Sequence, residues 1–230
     1  MKKIFYIILL IVILIVVSSS TIAICKFTNV FKYNKKKLRK EIYYGLDVIN
    51  KVFNKNNIYY IIGDGTLLGA VRHWKMIEWD DDADLYVFHK DIDKIMSLKD
   101  EFKKYGLILK KEWKLLKILF NDKEYPAIDL FIINDNNGKI ERCKTNTDIC
   151  EKVYINDHYV GYPSKWIRKR KKYIFGKLSL YGPVKPIRLL KHWFGDDVLT
   201  KCMSHNYCHI TNRYIEPKII KCKNLPKPQI

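Results

Sequence analysis

The run Ile58 to Ile62 is apolar, aromatic and β-branched, and it ends abruptly on Gly63-Asp64-Gly65. Such a run is expected to be a strand, and the two glycines turn the chain out of it. Thr66 then caps a short helix reaching Val71. A second strand-like run, Asp82 to Phe88, follows after a short connection. Strand, glycine turn, short helix and acidic strand, in that order, exclude an all-helical or repeating architecture.

The flanks extend this frame. Leu38, Ile42, Leu46, Ile49 and Phe53 recur every three or four residues, so Lys35 to Asn56 is expected to be an amphipathic helix. Ile92, Ile95, Leu98 and Phe102 mark another over Asp91 to Tyr105, stopped by Gly106. Leu107–Lys111, Trp113–Asn121 and Ala127–Ile133 read as strands, and the segment Asn134 to Gly138 as a turn. Tyr181-Gly182-Pro183 marks a loop, and Ile187 to Trp193 a short helix ended by Gly195. The fold class is α+β, a mixed β-sheet with flanking helices.

The acids carry the chemistry. In a strand, residues two apart share a face, so Asp82 and Asp84 point the same way, with Asp80 beside them if the strand starts early. Ala83, Leu85 and Val87 take the opposite, apolar face, and Asp81 faces away from the pair. Adjacent carboxylates repel unless a cation lies between them, and Mg²⁺ or Mn²⁺ is the natural partner of oxygen ligands. Asp129 sits alone in the apolar run Ala127 to Ile133. Burying an unpaired carboxylate is costly. A place beside the Asp82–Asp84 strand would make Asp129 a third ligand or a base. Gly63 and Gly65 let backbone N–H groups approach a phosphate, Thr66 opens a helix toward it, and Arg72 is a candidate for bidentate pairing. A phosphate cradle followed by metal-binding acids is the equipment of phosphoryl or nucleotidyl transfer.

Gly65-Thr66-Leu67-Leu68-Gly69-Ala70-Val71-Arg72, followed by Ile77 and Trp79-Asp80-Asp81-Asp82-Ala83-Asp84-Leu85, resembles the signature of the LicD family, which includes bacterial phosphocholine transferases, fukutin and fukutin-related protein. The resemblance covers about residues 40 to 133, with a weaker echo from Leu189 to Asp197. It implies a nucleotidyltransferase-like sheet, Asp82 and Asp84 on a metal, and Asp129 completing the site. It further implies a CDP-activated alcohol as donor and a glycan hydroxyl as acceptor. Lys75 and Glu78 depart from the pattern, at positions where the family has glycine and proline, and bear on substrate choice. Two other readings are a nucleotide-sugar glycosyltransferase using its Asp-x-Asp, and a non-catalytic relative binding glycan or lipid.

Ile4 to Cys25 carries no charge and spans roughly 20 residues, enough for one transmembrane helix. A cleaved signal peptide is the competing reading. The expected organisation is an anchor and basic segment over 1–34, the LicD-like domain over 35–224 and a flexible tail over 225–230. This makes the chain a single-pass membrane protein, with the domain in the ER or Golgi lumen if the source is eukaryotic. Lysines and arginines after the span favour the opposite, cytoplasmic face, and no Asn-x-Ser/Thr sequon speaks for the lumen. The net charge of +19, clustered at Lys35–Lys37 and Arg168–Lys172, suits anionic lipid or an anionic substrate. No nucleic-acid motif accompanies it. Of six cysteines, Cys202, Cys208 and Cys222 admit either disulfides or zinc.

Overall fold

The computed structural model of the protein describes residues 35–121, 123–143, 154–155, 158–159, 161–203, 207–208, 213–214, 216, 218–220, 222 and 225–230. The expected amphipathic helix is α1, Lys35–Lys55, and it buries Leu38, Ile42, Leu46, Ile49 and Phe53. Its Gly45 brings it close to the sheet: a methyl group there would lie 2.6 Å from Ile128 Cδ1. The chain continues as β1 (Tyr60–Ile62), α2 (Asp64–Leu68), a π-helical turn over Gly69–His73, and β2 (Ala83–Phe88). The helix expected over Asp91 to Tyr105 is broken at Ser97-Leu98 into α3 (Ile92–Met96) and α4 (Lys99–Lys104). Then come β3 (Leu107–Lys111), β4 (Leu115–Phe120), β5 (Lys123–Asn136) and β6 (Lys139–Arg142).

These strands form one mixed sheet in the order β1-β2-β5-β4-β3. β6 pairs with β5, and the short β7 (Tyr162–Pro163) pairs with β6. β2 and β5 are parallel; the other pairs are antiparallel. The residues joining β2 to β5 hold α3, α4, β3 and β4, as a parallel crossover requires. The sheet face bearing Ile62, Leu85, Ile128, Leu130 and Leu116 is buried in the core.

Two sequence readings are corrected. β5 runs through Asn134 to Asn136, and only Asn137 and Gly138 turn, at φ 49° and 86°. Positive φ at both central residues is what a two-residue hairpin with matching twist needs. Tyr181-Gly182-Pro183 is not a loop but the end of β9 (Leu178–Pro183), which pairs with β8 (Arg170–Phe175). α5, Pro186–Phe194, follows with proline in its first turn.

Residues 225–230, expected as a flexible tail, are tied down instead. Gln229 donates from its backbone N–H to Val71 O (2.9 Å) and from Nε2 to Ala70 O (2.7 Å), and accepts from Ile174 N–H at Oε1 (3.0 Å). Part of the basic cluster is structural too. Arg168 donates to Asp135 Oδ2 (3.0 Å), and Arg170 stacks 3.9 Å from the Tyr181 ring centre while donating to Tyr60 O (3.1 Å). Cys202 and Cys222 form a disulfide, which removes two thiols from the zinc reading, and Cys143 is disulfide-bonded as well. The apolar segment before residue 35 lies outside the described residues, among which no helix is long and apolar enough to cross a membrane.

Candidate active site

The glycine turn closes on the start of β2. Gly63 N–H donates to Asp84 O (3.0 Å), and Asp84 N–H donates to Thr66 Oγ1 (2.8 Å), so the turn brackets the backbone of Asp84. Thr66, expected as a phosphate contact, is 2% exposed, with its hydroxyl committed to this latch. Thr66→Val is expected to cost about 1–3 kcal/mol, because a buried N–H loses its acceptor at nearly constant volume. Urea denaturation measures this, with Thr66→Ser as the near-neutral control. Gly65 has a different role. A methyl group there would meet Asp80 Oδ2 at 2.9 Å, so glycine lets this acid pack against the turn.

The acids converge, though not all as strand alternation requires. Asp84 pairs with Asp129 across β2 and β5, and Asp129 with Lys117 across β5 and β4. Directly paired residues share a face, so the expected neighbourhood of Asp129 and Asp84 is present in the sheet. Lys117 Nζ stands 3.7 Å from Asp129 Oδ1. Asp80, Asp81 and Asp82 precede the strand, which starts at Ala83, and alternation does not govern them. One carboxylate oxygen from each lies within 4.8 Å of the other two. Asp81 therefore belongs to the acidic group rather than facing away from it.

Burial, then the charges of Asp82, Asp64, Asp129 and Asp80, hold the Asp84 carboxyl well above the usual carboxylate range. Burial and the neighbouring Asp81, Asp82 and Asp80 likewise push the Tyr125 hydroxyl upward. An acid with a raised folded-state pKa contributes stability below its unfolded pKa of about 3.9 and loses it as pH rises toward the folded value. The metal-free protein is thus expected to lose stability relative to Asp84→Asn as pH rises above about 4. Thermal melts of both proteins in EDTA, from about pH 4 to pH 8, read the widening gap.

Arg72 is not placed as expected. It is 2% exposed, and its Nη1 donates to Val198 O (2.7 Å) and Lys201 O (2.8 Å), while Nε donates to His73 Nε2 (3.0 Å). The π-helical turn carries it into the segment after α5, where it works as a clamp rather than a phosphate ligand. Burial lowers Arg72 to about 10, and burial with the Arg72 and Lys75 charges lowers His73 to about 4, so the imidazole is neutral.

Arg142 was missed by sequence reasoning. Its Nη2 donates to Asp64 Oδ2 (2.6 Å) and to Tyr86 Oη (3.2 Å), while Tyr86 Oη donates to Asp64 Oδ1 (2.7 Å). The guanidinium lies 4.2 Å from the ring centre of Phe131 and 5.1 Å from that of Trp193. The signal was available. A two-residue turn at Asn137-Gly138 pairs Arg142 with Ile133, on the face of Asp129.

Residues 57–185, running from just before β1 to just before α5, match the family model described as LicD/FKTN/FKRP, nucleotidyltransferase domain. The chain belongs to this family. The matched LicD segment contains every acid described above, and Arg142. An uncharacterized protein of Rickettsia prowazekii is 30% identical over 186 residues, covering 78% of this chain and 65% of its own length. One from Rickettsia typhi is also 30% identical over 186 residues, covering 78% of this chain and 55% of its own. The chain thus spans less than two thirds of these curated relatives. The lipopolysaccharide cholinephosphotransferase LicD of Haemophilus influenzae is 46% identical over 46 residues, 20% of this chain and 17% of that one. A crystal structure of the lincosamide antibiotic adenylyltransferase LnuA, lincomycin-bound, aligns over 70% of this chain and 94% of that one, with TM-score 0.39 and 16% identity.

Proposed function

We propose that this LicD-family domain is a divalent-metal-dependent transferase. It moves a phospho-alcohol, phosphocholine- or ribitol-phosphate-like, from a CDP-activated donor to a glycan hydroxyl. The observation that carries the reading is the pairing of Asp84 with Asp129 beside the Asp80–Asp82 group, closed against a glycine turn. Family membership and the local likeness to a cholinephosphotransferase support it.

The residue types suit Mg²⁺ or Mn²⁺, and among the described residues the carboxylate oxygens standing close enough together to share an ion are those of Asp80, Asp81 and Asp82. Their oxygen donors are those such ions take, and a cation among them would offset the repulsion that otherwise keeps Asp84 protonated. Asp82 and Asp84 would hold the ion, and Asp129 would complete the set. When bound, the ion supplies charge stabilisation to the phosphoryl group in transfer. Gly65 and Thr66 offer backbone N–H groups to phosphate. In the reaction, the acceptor oxygen bonds to the phosphorus that carries the alcohol. The bond from that phosphorus to the CMP oxygen breaks, and the hydroxyl proton passes to a carboxylate of the site.

The Cys202–Cys222 disulfide supports an oxidising compartment. The domain would then stand on the non-cytoplasmic side of a membrane, anchored by the apolar run before residue 26. The test is a donor panel with Mn²⁺. CMP release from a CDP-alcohol is the expected result. Turnover of UDP- or GDP-sugars alone would replace this reading with a glycosyltransferase.

A further inference from the structure

We infer that Arg142 is the phosphate-binding guanidinium of this site and takes the diphosphate of the donor. The inference rests on the reading of the domain as a nucleotide-dependent transferase, and it gives Arg142 the role that Arg72 does not fill.

Three sets of observations carry it. The first is placement. Arg142 pairs with Ile133 in the β5–β6 hairpin, and alternation puts it on the same face as Phe131 and Asp129. Asp129 is in turn paired with Asp84. The long side chain reaches back over Phe131 to Asp64, the residue between the two glycines of the turn. A cation therefore stands where the turn and the acids meet.

The second is donor capacity. A guanidinium offers five N–H groups and accepts none. Among the described residues only Nη2 is engaged, by Asp64 and Tyr86. Nε has no hydrogen-bond partner, and Nη1 makes no hydrogen bond among the described residues. Trp193, whose ring centre lies 5.1 Å away, and Tyr162, which interacts electrostatically with Arg142, also carry buried polar atoms without a partner among the described residues. A buried donor without an acceptor is uncommon and calls for an explanation. Several together, around a fixed positive charge, call for an oxygen-rich anion.

The third is rigidity. The rings of Phe131, Trp193 and Tyr86 lie 4.2, 5.1 and 5.5 Å from the guanidinium carbon, which limits how far the fork can turn. A planar fork held this way suits the oxygens of a phosphate. The other cations near the acids are committed: Arg72 to carbonyls, Lys117 to Asp129 and Glu112.

The competing role is a brace that only holds Asp64. The experiment uses the full chain in detergent, with Arg142→Lys and Asp64→Asn beside the wild type. Inorganic pyrophosphate, CDP and cytidine are titrated by calorimetry in the presence of Mn²⁺, and Mn²⁺ alone by electron paramagnetic resonance. Arg142→Lys is expected to weaken pyrophosphate and CDP about tenfold or more, the range of a lost charge-assisted pair. Cytidine and Mn²⁺ affinities should stay unchanged. Asp64→Asn should keep pyrophosphate within about threefold, since it leaves the Arg142 fork in place and removes a competing carboxylate. Equal losses in both variants, or unchanged pyrophosphate affinity in Arg142→Lys, would overturn the assignment. Failure of the CDP-transfer reading is seen separately: the wild type would then bind pyrophosphate yet show no preference for CDP.

Discussion

The double variant Asp82→Asn/Asp84→Asn is expected to lose turnover by about 10³-fold or more and, without metal, to melt higher than the wild type. Both effects have one cause. Asp84 is buried among Asp82, Asp64, Asp129 and Asp80, and their charges disfavour its ionised form. Two asparagines keep the shape and remove the repulsion. A gain of about 1–2 kcal/mol follows from interactions at this range in a screened interior, or ~3–6 °C for a domain of this size. The same change removes two proposed ligands. Metal ions supply several kcal/mol to the transition state, and each 1.4 kcal/mol is about tenfold in rate. Divalent cations should raise the wild-type melting temperature by linkage and leave the variant unmoved. Calorimetric melts with and without Mn²⁺, beside an assay of CMP release, measure both. A variant that melts lower than the wild type in EDTA would contradict the electrostatic account.

Arg72→Ala is expected to destabilise the fold by about 2–4 kcal/mol, the cost of leaving two carbonyls without their charged donor and of the space left behind. The carbonyls of Val198 and Lys201 would lose their donor, and His73 its neighbour. The segment after α5 would separate from the π-helical turn that follows the glycine loop. The pattern of the loss separates a clamp from a phosphate ligand. A clamp variant assayed at low temperature, where it remains folded, should keep the wild-type KM for the donor. A phosphate ligand would show a raised KM with an unchanged melting temperature.

The chain order from β1 to β2 was legible because each step has a local cause. Gly63 ends β1 and caps the short helix, which begins at Asp64 and takes in Gly65, earlier than the expected start at Thr66, and the apolar runs on either side pair. The partnership of Asp84 with Asp129 was legible as a condition, since an acid inside Ala127 to Ile133 needs company. What escaped depended on tertiary placement. Arg72 looked like a phosphate residue because the π-helical turn that redirects it, and the carbonyls that receive it, come from distant sequence. Asp81 seemed to face away because alternation was extended three residues before the strand begins. The docked tail was invisible because isolated bonds hold it, from Gln229 and from Trp74 Nε1 to Lys227 O, which no periodicity encodes. Arg142 lay one hairpin beyond the last strand read, and a turn drawn from Asn134 to Gly138 sets a different register from the Asn137-Gly138 turn that pairs it with Ile133.

The most direct test is CMP release by the purified full chain from a CDP-alcohol and a glycan acceptor, measured with Mn²⁺ and again after EDTA. The metal site proposed for Asp82, Asp84 and Asp129 predicts turnover that EDTA abolishes, that added Mn²⁺ or Mg²⁺ restores, and that Asp82→Asn/Asp84→Asn never regains. Turnover undiminished by EDTA, or retained in that variant, would contradict it.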